Sequence, residues 1–190
     1  MIFPVVGLGN PGTDYAKTRH NAGFWVLQYL ADKLGLVFSQ GLFAAHAQAQ
    51  CPAERLKELW PDLETPAGAQ LVLIKPLTWM NRSGDILPGL YKTWADKGHE
   101  VALPIVVVDQ MDLAPGELRF KSRGGTAGHN GLKSLVAVLE QDFFPLYFGI
   151  GRPAPGTAVV DHVLGVPWGE EEAAEQAAIP RAARCIGLCI

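Results

Sequence analysis

The amino-acid sequence predicts an α/β fold, because short apolar runs alternate along the chain with amphipathic segments. The apolar runs are rich in valine, isoleucine and leucine, and glycines and prolines separate them from the helical segments. The chain has 190 residues, of which 48% are hydrophobic and 18% are charged. This length and composition favour a single globular domain, residues 1–190, with a substantial core.

Six strands are predicted from the apolar runs. The clearest is 104–109, in which consecutive valines precede Asp109. The first strand, 2–6, ends where a run of glycines begins, since glycine is unfavourable in a strand interior. The remaining strands are 43–49, 71–74, 118–121 and 147–151.

Three helices are predicted with clear boundaries. The first runs to about Leu34, with Asn21 as its N-cap and Gly35 as its stop. The others are 130–140 and 170–187, and the second of these begins with glutamates, as the helix dipole prefers. Segment 84–94 is a weak helix candidate because Pro88 and Gly89 interrupt it. The proline-containing segment 51–69 is predicted to be an inserted loop with at most one helical turn.

Charge and cysteine content limit the classes of protein. The formal net charge is −3. This charge argues against a protein with a positively charged surface that binds nucleic acids in general, but it permits a local basic patch. Three cysteines are too few for a disulfide framework and indicate a reducing compartment, so we expect a cytoplasmic protein. Cys185 and Cys189 stand four residues apart without a nearby histidine, so half-buried thiols are favoured over a zinc site. We expect neither a membrane span nor a secretion signal.

The loop after the first strand is the most informative segment. It reads GLGNPG from Gly7 and continues through polar residues to His20. Pro11 and this polar stretch separate the glycines from the next helix, unlike a dinucleotide fingerprint, and no Gly-Lys-Ser/Thr follows to make a P-loop. A histidine at this place lies where open α/β sheets usually keep their chemistry, although the glycines alone could form only a tight turn.

Two other polar residues follow buried strands. Asn81, within KPLTWMNRSG, carries an amide that can donate to and accept from a peptide group, or could cap a helix. Asp109 ends the valine strand, where a carboxylate can orient a histidine and stabilise its imidazolium form. Capping a turn is the alternative, and it suits Asp112 better than Asp109.

A glycine-rich loop precedes the helix 130–140 and reads GGTAGHNG. Such a loop could bind an anion at the N-terminus of the helix. His129 within it could be a ligand or a base, or it could be a structural hub of hydrogen bonds.

Together these segments resemble one family. The motifs G-L-G-N-P-G-x-x-Y-x-x-T-R-H-N-x-G-F, K-P-x-T-x-M-N-x-S-G, D-x-x-D-L-x-x-G and G-x-x-G-H-N-G-L-K-S are similar to those of bacterial peptidyl-tRNA hydrolase, over about residues 5–164. The resemblance implies one α/β domain with a mixed, twisted sheet flanked by helices. It implies hydrolysis of the ester that joins a peptide to the terminal ribose of tRNA, with no metal and no cofactor.

The resemblance also implies roles for five polar residues. His20 resembles the general base that activates water, and Asp109 resembles the carboxylate that orients it. Asn10 and Asn81 resemble the amides that hold the ester end and the peptide backbone. Asn130 resembles the amide that positions water or the developing oxyanion. One base and well-placed donors suffice for an activated ester, and no Gly-x-Ser-x-Gly motif supplies a serine nucleophile.

Substrate contacts follow from the same resemblance, with one departure. Tyr15 and Met80 resemble the wall beside the peptide and the terminal adenosine. Lys121 matches a lysine that grips the tRNA 5′-phosphate. The family has arginines where this chain has Pro145 and Tyr147, and the second arginine belongs to the same phosphate clamp.

A basic face is expected to replace the missing part of the clamp. Arg119, Lys121 and Arg123 alternate along an extended segment, so their side chains should share one face. Arg152 could help this face to grip the acceptor stem, and Tyr147 could donate a hydrogen bond to a phosphate. A solvated edge strand is the alternative interpretation.

Two other functional classes remain open from the sequence. One is a non-catalytic RNA-binding relative of the same fold, which the altered clamp favours and the retained polar residues disfavour. The other is a metal-dependent hydrolase, although no His-x-x-x-His or Glu-x-x-His spacing supports it. The expected partner is peptidyl-tRNA, bound through acceptor stem, terminal adenosine and peptide, and the protein is expected to be a monomer that does not contact membranes.

Overall fold

A mixed seven-stranded sheet organises the computed structural model, which describes residues 1–41, 45–123 and 125–190. The strand order is β2-β3-β4-β1-β5-β7-β6. The strands are β1 Ile2–Gly7, β2 Ser39–Gln40, β3 His46–Pro52, β4 Gln70–Pro76, β5 Ile105–Gln110, β6 Leu118–Phe120 and β7 Phe144–Gly149. The helices are α1 Ala22–Lys33, α2 Leu87–Asp96, α3 Asn130–Leu139, α4 Val159–Val163 and α5 Gly169–Leu188. Shorter 3₁₀ turns span Arg19–Asn21, Ala53–Glu58 and Met80–Ile86.

The four central strands run parallel and determine where the loops meet. β1 pairs in parallel with β4 and with β5, and β5 pairs in parallel with β7. β2, β3 and β6 are added antiparallel at the two sides. The carboxyl ends of β1, β4 and β5 therefore lie at one edge of the sheet, where α/β proteins place their sites.

Helices cover both faces of the sheet, as the period of the strands requires. Ile105 and Val107 of β5 pack into a core with α1 and α5, whereas Val106 and Val108 pack into a second core with α2 and α3. Burial on both faces explains the continuous apolar sequence of β5. The predicted α/β domain with a mixed sheet is confirmed.

Three boundaries differ from the prediction for physical reasons. The weak helix candidate at 84–94 was placed too early, because Pro88 lies in the first turn of α2, where its missing N–H costs no hydrogen bond. β7 starts at Phe144, before the predicted strand. The predicted strand at 43–49 begins at Phe43, which lies outside the described residues, and β3 continues to Pro52.

Segment 51–69 packs against the core of the domain. It contains the end of β3 and a 3₁₀ turn, Ala53–Glu58, and its Leu56 and Leu63 are buried in the core beside α5. The Nη2 of Arg184 in α5 donates to the Oδ2 of Asp62 at 2.7 Å. Among the helices of the described residues, none combines the length and the apolarity needed to cross a membrane.

Candidate active site

A cleft of about 340 Å³ opens at the carboxyl edge of the sheet. Asn10 from the loop after β1, His20 from the 3₁₀ turn and Asp109 from β5 form its polar floor, and residues of the loop before α3 and of α4 form its walls. Its lining includes Asn10, His20, Met80, Asp109, Gln110, Met111, 127–130, Val159, Val160, Val163 and Leu164. The parallel strands thus bring together residues that are far apart in the sequence, such as His20 and Asp109, which are 89 positions apart.

His20 and Asp109 form a direct contact in this cleft. Both Oδ1 and Oδ2 of Asp109 lie 3.0 Å from the Nδ1 of His20. Asp109 is buried at the end of β5, and His20 lies in the middle of the 3₁₀ turn Arg19–Asn21. The rigid strand and the short turn therefore hold the ring against the carboxylate, as the sequence predicted for a histidine and its orienting acid.

A second histidine contacts the same carboxylate. The Nε2 of His129 lies 3.0 Å from the Oδ1 of Asp109. Its Nδ1 accepts hydrogen bonds from the backbone N–H groups of Gly131 and Leu132, which caps α3. Since Nδ1 accepts, Nε2 must carry the proton and donate to Asp109. This arrangement corresponds to the hydrogen-bond hub among the interpretations of His129.

The same argument assigns the tautomer of His20. Asp109 is an acceptor when ionised, so the Nδ1 of His20 carries the proton that faces it. The Nε2 of His20 then has a lone pair, and it has no hydrogen-bond partner in residues 1–41, 45–123 and 125–190. A neutral imidazole with a free Nε2 in a cleft can accept a proton from water.

The charges reinforce this pairing. Burial alone would raise the pKa of Asp109, but His129 and His20 together hold the pKa of that carboxyl far below its ordinary range. Burial lowers the pKa of His20, but the charge of Asp109 and the hydrogen bond to it outweigh burial, so the pKa of His20 is raised. The carboxylate therefore stays ionised and favours the imidazolium form of His20.

The three side chains could be mistaken for a metal centre. Ligand atoms of His20, Asp109 and His129 all lie within 4.8 Å of one another. However, the Nδ1 of His129 already uses its lone pair to accept from α3, and a neutral imidazole has no second lone pair for a metal. The donor set therefore fits two N–H groups that converge on a carboxylate better than it fits a cation.

Asn10 is held rigidly by a network that the sequence analysis did not identify. The side chain of Asn21 accepts from the backbone N–H of Asn10 and donates to its C=O, both at 2.9 Å. The Oδ1 of Asn10 accepts from the N–H of Met80 at 2.9 Å, so its Nδ2 is the group left to donate into the cleft. Asn21 was predicted to cap α1, but its side chain makes no capping hydrogen bond and instead orders the Asn10 loop.

Close packing explains a glycine in this loop. A Cβ on Gly9 would lie 2.8 Å from ring atoms of Phe24 in α1. Any larger residue would push the loop away from α1 and displace Asn10 next to it.

Two other predicted site residues line the cleft, whereas Asn81 and Tyr15 do not. Met80 and Asn130 line it, Met80 buried and Asn130 exposed at the start of α3. Asn81 is exposed on the 3₁₀ turn Met80–Ile86, next to the cleft. Tyr15 packs edge-on against the exposed ring of Trp79, with ring centroids 5.7 Å apart. These positions are compatible with substrate contacts outside the polar floor.

The residues of the basic face lie on and after the edge strand β6, because the strand ends at Phe120, before the end of the predicted strand 118–121, and includes only Arg119 of them. Lys121 is exposed and its Nζ is 5.5 Å from the ring centroid of Tyr147, opposite Arg119 in the register of β6 and β7. Two of the arginines are paired, since Arg119 contacts Glu117 and Arg152 contacts Asp112 at 2.6 Å. In the described part of the chain, Lys121 and Arg123 are the members of this face without an ion pair.

Tyr147 is largely buried. Only 4% of its surface is exposed, and it packs in the core beneath α3. Alternation along β7 turns its ring inward, and the hydrogen bond from its hydroxyl to a phosphate stays a prediction. The ring of Tyr147 is in cation–π contact with the Nζ of Lys121.

Sequence reasoning also missed α4 and Arg19. The valines of α4 carry no motif, but Val159 and Val160 are exposed at the cleft wall and give it an apolar surface. Arg19 stands directly before His20 in a motif, which is the sequence signal that could have found it, whereas its burial, with 6% of the residue exposed, is visible only in the structure.

Comparisons with known proteins agree with the geometry. The family model described as peptidyl-tRNA hydrolase matches residues 4–190. The chain is 40% identical to a peptidyl-tRNA hydrolase of Symbiobacterium thermophilum, over 98% of this chain and 91% of that protein. It is 41% identical to one of Bordetella parapertussis, over 88% of this chain and 73% of that protein. The crystal structure of peptidyl-tRNA hydrolase from Acinetobacter baumannii superposes with a TM-score of 0.77 at 32% identity, covering 98% of this chain and 94% of that one.

Proposed function

Because the chain belongs to the peptidyl-tRNA hydrolase family, we propose that it releases tRNA and peptide by hydrolysing their ester with His20 as general base. The observation that carries this proposal is the pair of contacts on Asp109. They leave the Nε2 of His20 unprotonated in the cleft and place a negative charge behind the ring. The other residues of the cleft then fall into supporting roles.

The chemical steps use this chain's residues and one water. The Nε2 of His20 takes a proton from water as the water oxygen attacks the ester carbonyl carbon. Asp109 stabilises the resulting imidazolium, and the oxyanion forms near the Nδ2 of Asn10 and the amide of Asn130. When the intermediate collapses, the bond to the ribose oxygen breaks, and the imidazolium returns its proton to that leaving oxygen. The products are a tRNA with its terminal hydroxyl restored and the carboxylic acid of the peptide, which releases its proton to the solvent.

Residues around the cleft suit the two parts of the substrate. Asn81 offers an amide to the peptide backbone, and Met80 supplies an apolar wall beside it. Tyr15, packed on Trp79, offers an aromatic surface for the terminal adenosine. Lys121, just after the edge strand β6, carries the positive charge for an acceptor-stem phosphate.

Turnover of peptidyl-tRNA tests the mechanism. We expect the wild type to cleave peptidyl-tRNA, to cleave N-blocked aminoacyl-tRNA less well, and to be insensitive to a chelator. His20→Ala should lower kcat by about two to four decades with little change in tRNA affinity. His99→Ala, which removes an exposed histidine outside the cleft, is the matched control and should have no effect.

The same assay separates the alternatives. Tight binding of tRNA without cleavage by the wild type would favour the non-catalytic RNA-binding relative. Loss of activity with chelator would favour a metal-dependent hydrolase. Full activity of His20→Ala would show that another group activates the water.

A further inference from the structure

Arg19 connects the turn that carries His20 to two helices behind the cleft. Its Nη1 donates to the C=O of His162 in α4 at 3.2 Å, and its Nη2 donates to the Oε2 of Glu171 in α5 at 2.7 Å. The backbone N–H of Arg19 donates to the C=O of Gly165, just after α4. One residue therefore joins the 3₁₀ turn Arg19–Asn21 to α4 and α5 through three hydrogen bonds.

Two charged side chains, Arg19 and Glu175, are buried behind the cleft. Glu175 of α5 is fully buried, and its Oε1 lies 4.0 Å from the Nε of Arg19. Within the described residues, neither carboxylate oxygen of Glu175 accepts a hydrogen bond, and the Nε of Arg19 donates none. A buried pair with incomplete hydrogen bonding adds little stability compared with apolar side chains of the same size. Stability alone therefore does not account for this arrangement.

The position of Arg19 next to His20 accounts better for the arrangement. Arg19 and His20 are consecutive residues of a single turn, and their side chains leave it toward different partners. His20 reaches Asp109 of β5, while Arg19 reaches α4 and α5. A rotation of the turn that loosened the arginine would also move the imidazole, and the valines of α4 line the same cleft as His20.

We propose that Arg19 is a positioning residue for the hydrolysis, holding both the His20 turn and the α4 wall in the geometry that the reaction needs. This inference rests on the proposed role of His20 as general base. Arg19 does not touch the reacting atoms. Its guanidinium acts through the backbone of the next residue and through the C=O of His162. An arginine suits this task because its planar fork can serve two acceptors at fixed directions, whereas a lysine cannot.

Arg19→Lys tests the proposal, because it keeps the charge beside Glu175 and removes the fork. We expect kcat to fall about tenfold, since displacements of up to 1 Å at a reacting group cost up to about a hundredfold. KM should change less than about twofold. The imidazole of His20, followed by NMR titration, should titrate at lower pH because its contact with Asp109 loosens.

Gly165→Ala is a second variant that leaves Arg19 and Glu175 in place. Its Cβ would lie 3.0 Å from the Nη1 of Arg19 and 2.9 Å from the C=O of Asp161, so it would crowd the guanidinium. It should lower kcat and the His20 titration in the same direction. The matched control is Arg184→Lys, which alters another charged hydrogen bond of α5, to Asp62, far from the cleft lining, and should change neither.

The outcomes distinguish this inference from the proposed function. If the wild type cleaves peptidyl-tRNA but both variants, folded at the assay temperature, keep wild-type kcat and His20 titration, Arg19 is only structural and the inference is wrong. If the wild type does not cleave, the proposed function fails. The His20 titration of Arg19→Lys would still report whether Arg19 positions the ring.

Discussion

Replacing Asp109 by asparagine tests the tautomer argument, because it leaves one acceptor oxygen where two histidines now donate. His129 must donate through Nε2, since its Nδ1 accepts from Gly131 and Leu132. The single carbonyl oxygen of the new asparagine is then taken, and its NH₂ group faces the Nδ1 of His20. That nitrogen must become an acceptor, which moves the proton of His20 to Nε2.

The expected magnitude follows from this proton shift. A histidine that carries its proton on Nε2 cannot act as the base, so kcat should fall by about a hundredfold, somewhat less than in His20→Ala. Loss of the carboxylate also removes the group that raises the pKa of His20, while burial continues to lower it. The base is active above its pKa, so the acid limb of the rate profile should move to lower pH.

The double variant Asp109→Asn with His129→Ala refines the assay. Removing His129 frees the carbonyl oxygen for the Nδ1–H of His20, so part of the lost kcat should return. Single-turnover rates between pH 4 and pH 9 on peptidyl-tRNA would measure both effects for wild type, single and double variants. If Asp109→Asn changed neither the acid limb of the pH–rate profile nor the rate, the role of Asp109 in orienting His20 would be refuted. A double variant as slow as the product of the two single losses would refute the competition between the two histidines.

Two further perturbations have defined outcomes. Lys121→Ala should raise KM more than it lowers kcat and reduce the salt dependence of binding by about one phosphate contact. The control Lys33→Ala removes a lysine that also lies 5.5 Å from a tyrosine ring, that of Tyr29, but on α1, and an equal effect of both would place tRNA elsewhere. For Glu175, burial raises its pKa to about 7 from 4.5. The folded state then favours the protonated acid, so the cost of ionising it is absent below pH 4.5 and complete above pH 7. Glu175→Gln should therefore raise the thermal midpoint at pH 8 and leave it nearly unchanged at pH 4, and a constant difference at both pH values would contradict the buried-acid account.

Much of the fold was predictable because its signals are local. The valine run of β5 and the apolar periodicity of α1 follow from single-residue preferences at short range. The error at α2 shows the limit of the same reasoning, since Pro88 breaks a helix interior but fits a first turn. Tyr147 shows another limit, because whether a strand residue faces solvent depends on the elements that cover the sheet.

The sequence allowed residues of the cleft to be selected, but it did not show which hydrogen bonds join them. His20, Asp109 and Asn10 could be selected as residues at strand ends, and the motifs they belong to are specific. Which nitrogen of His20 is protonated could not be predicted, because it depends on His129, 20 residues away from Asp109, and on the cap of α3. The role of Asn21 in holding Asn10 was hidden for the same reason, since an asparagine before a helix is ordinarily a cap.

The sequence by itself determined the fold class, the family and the set of polar residues at the ends of β1, β4 and β5, because hydrophobic period and motif order are written in neighbouring positions. Only the tertiary structure decided how those residues act on one another. Hydrogen bonds have direction and reach only about 3 Å, so the sharing of Asp109 by two histidines depends on strand register and helix packing. The tie from Arg19 to α4 and α5 spans more than 140 residues of chain, and it forms only after the sheet and its covering helices are in place.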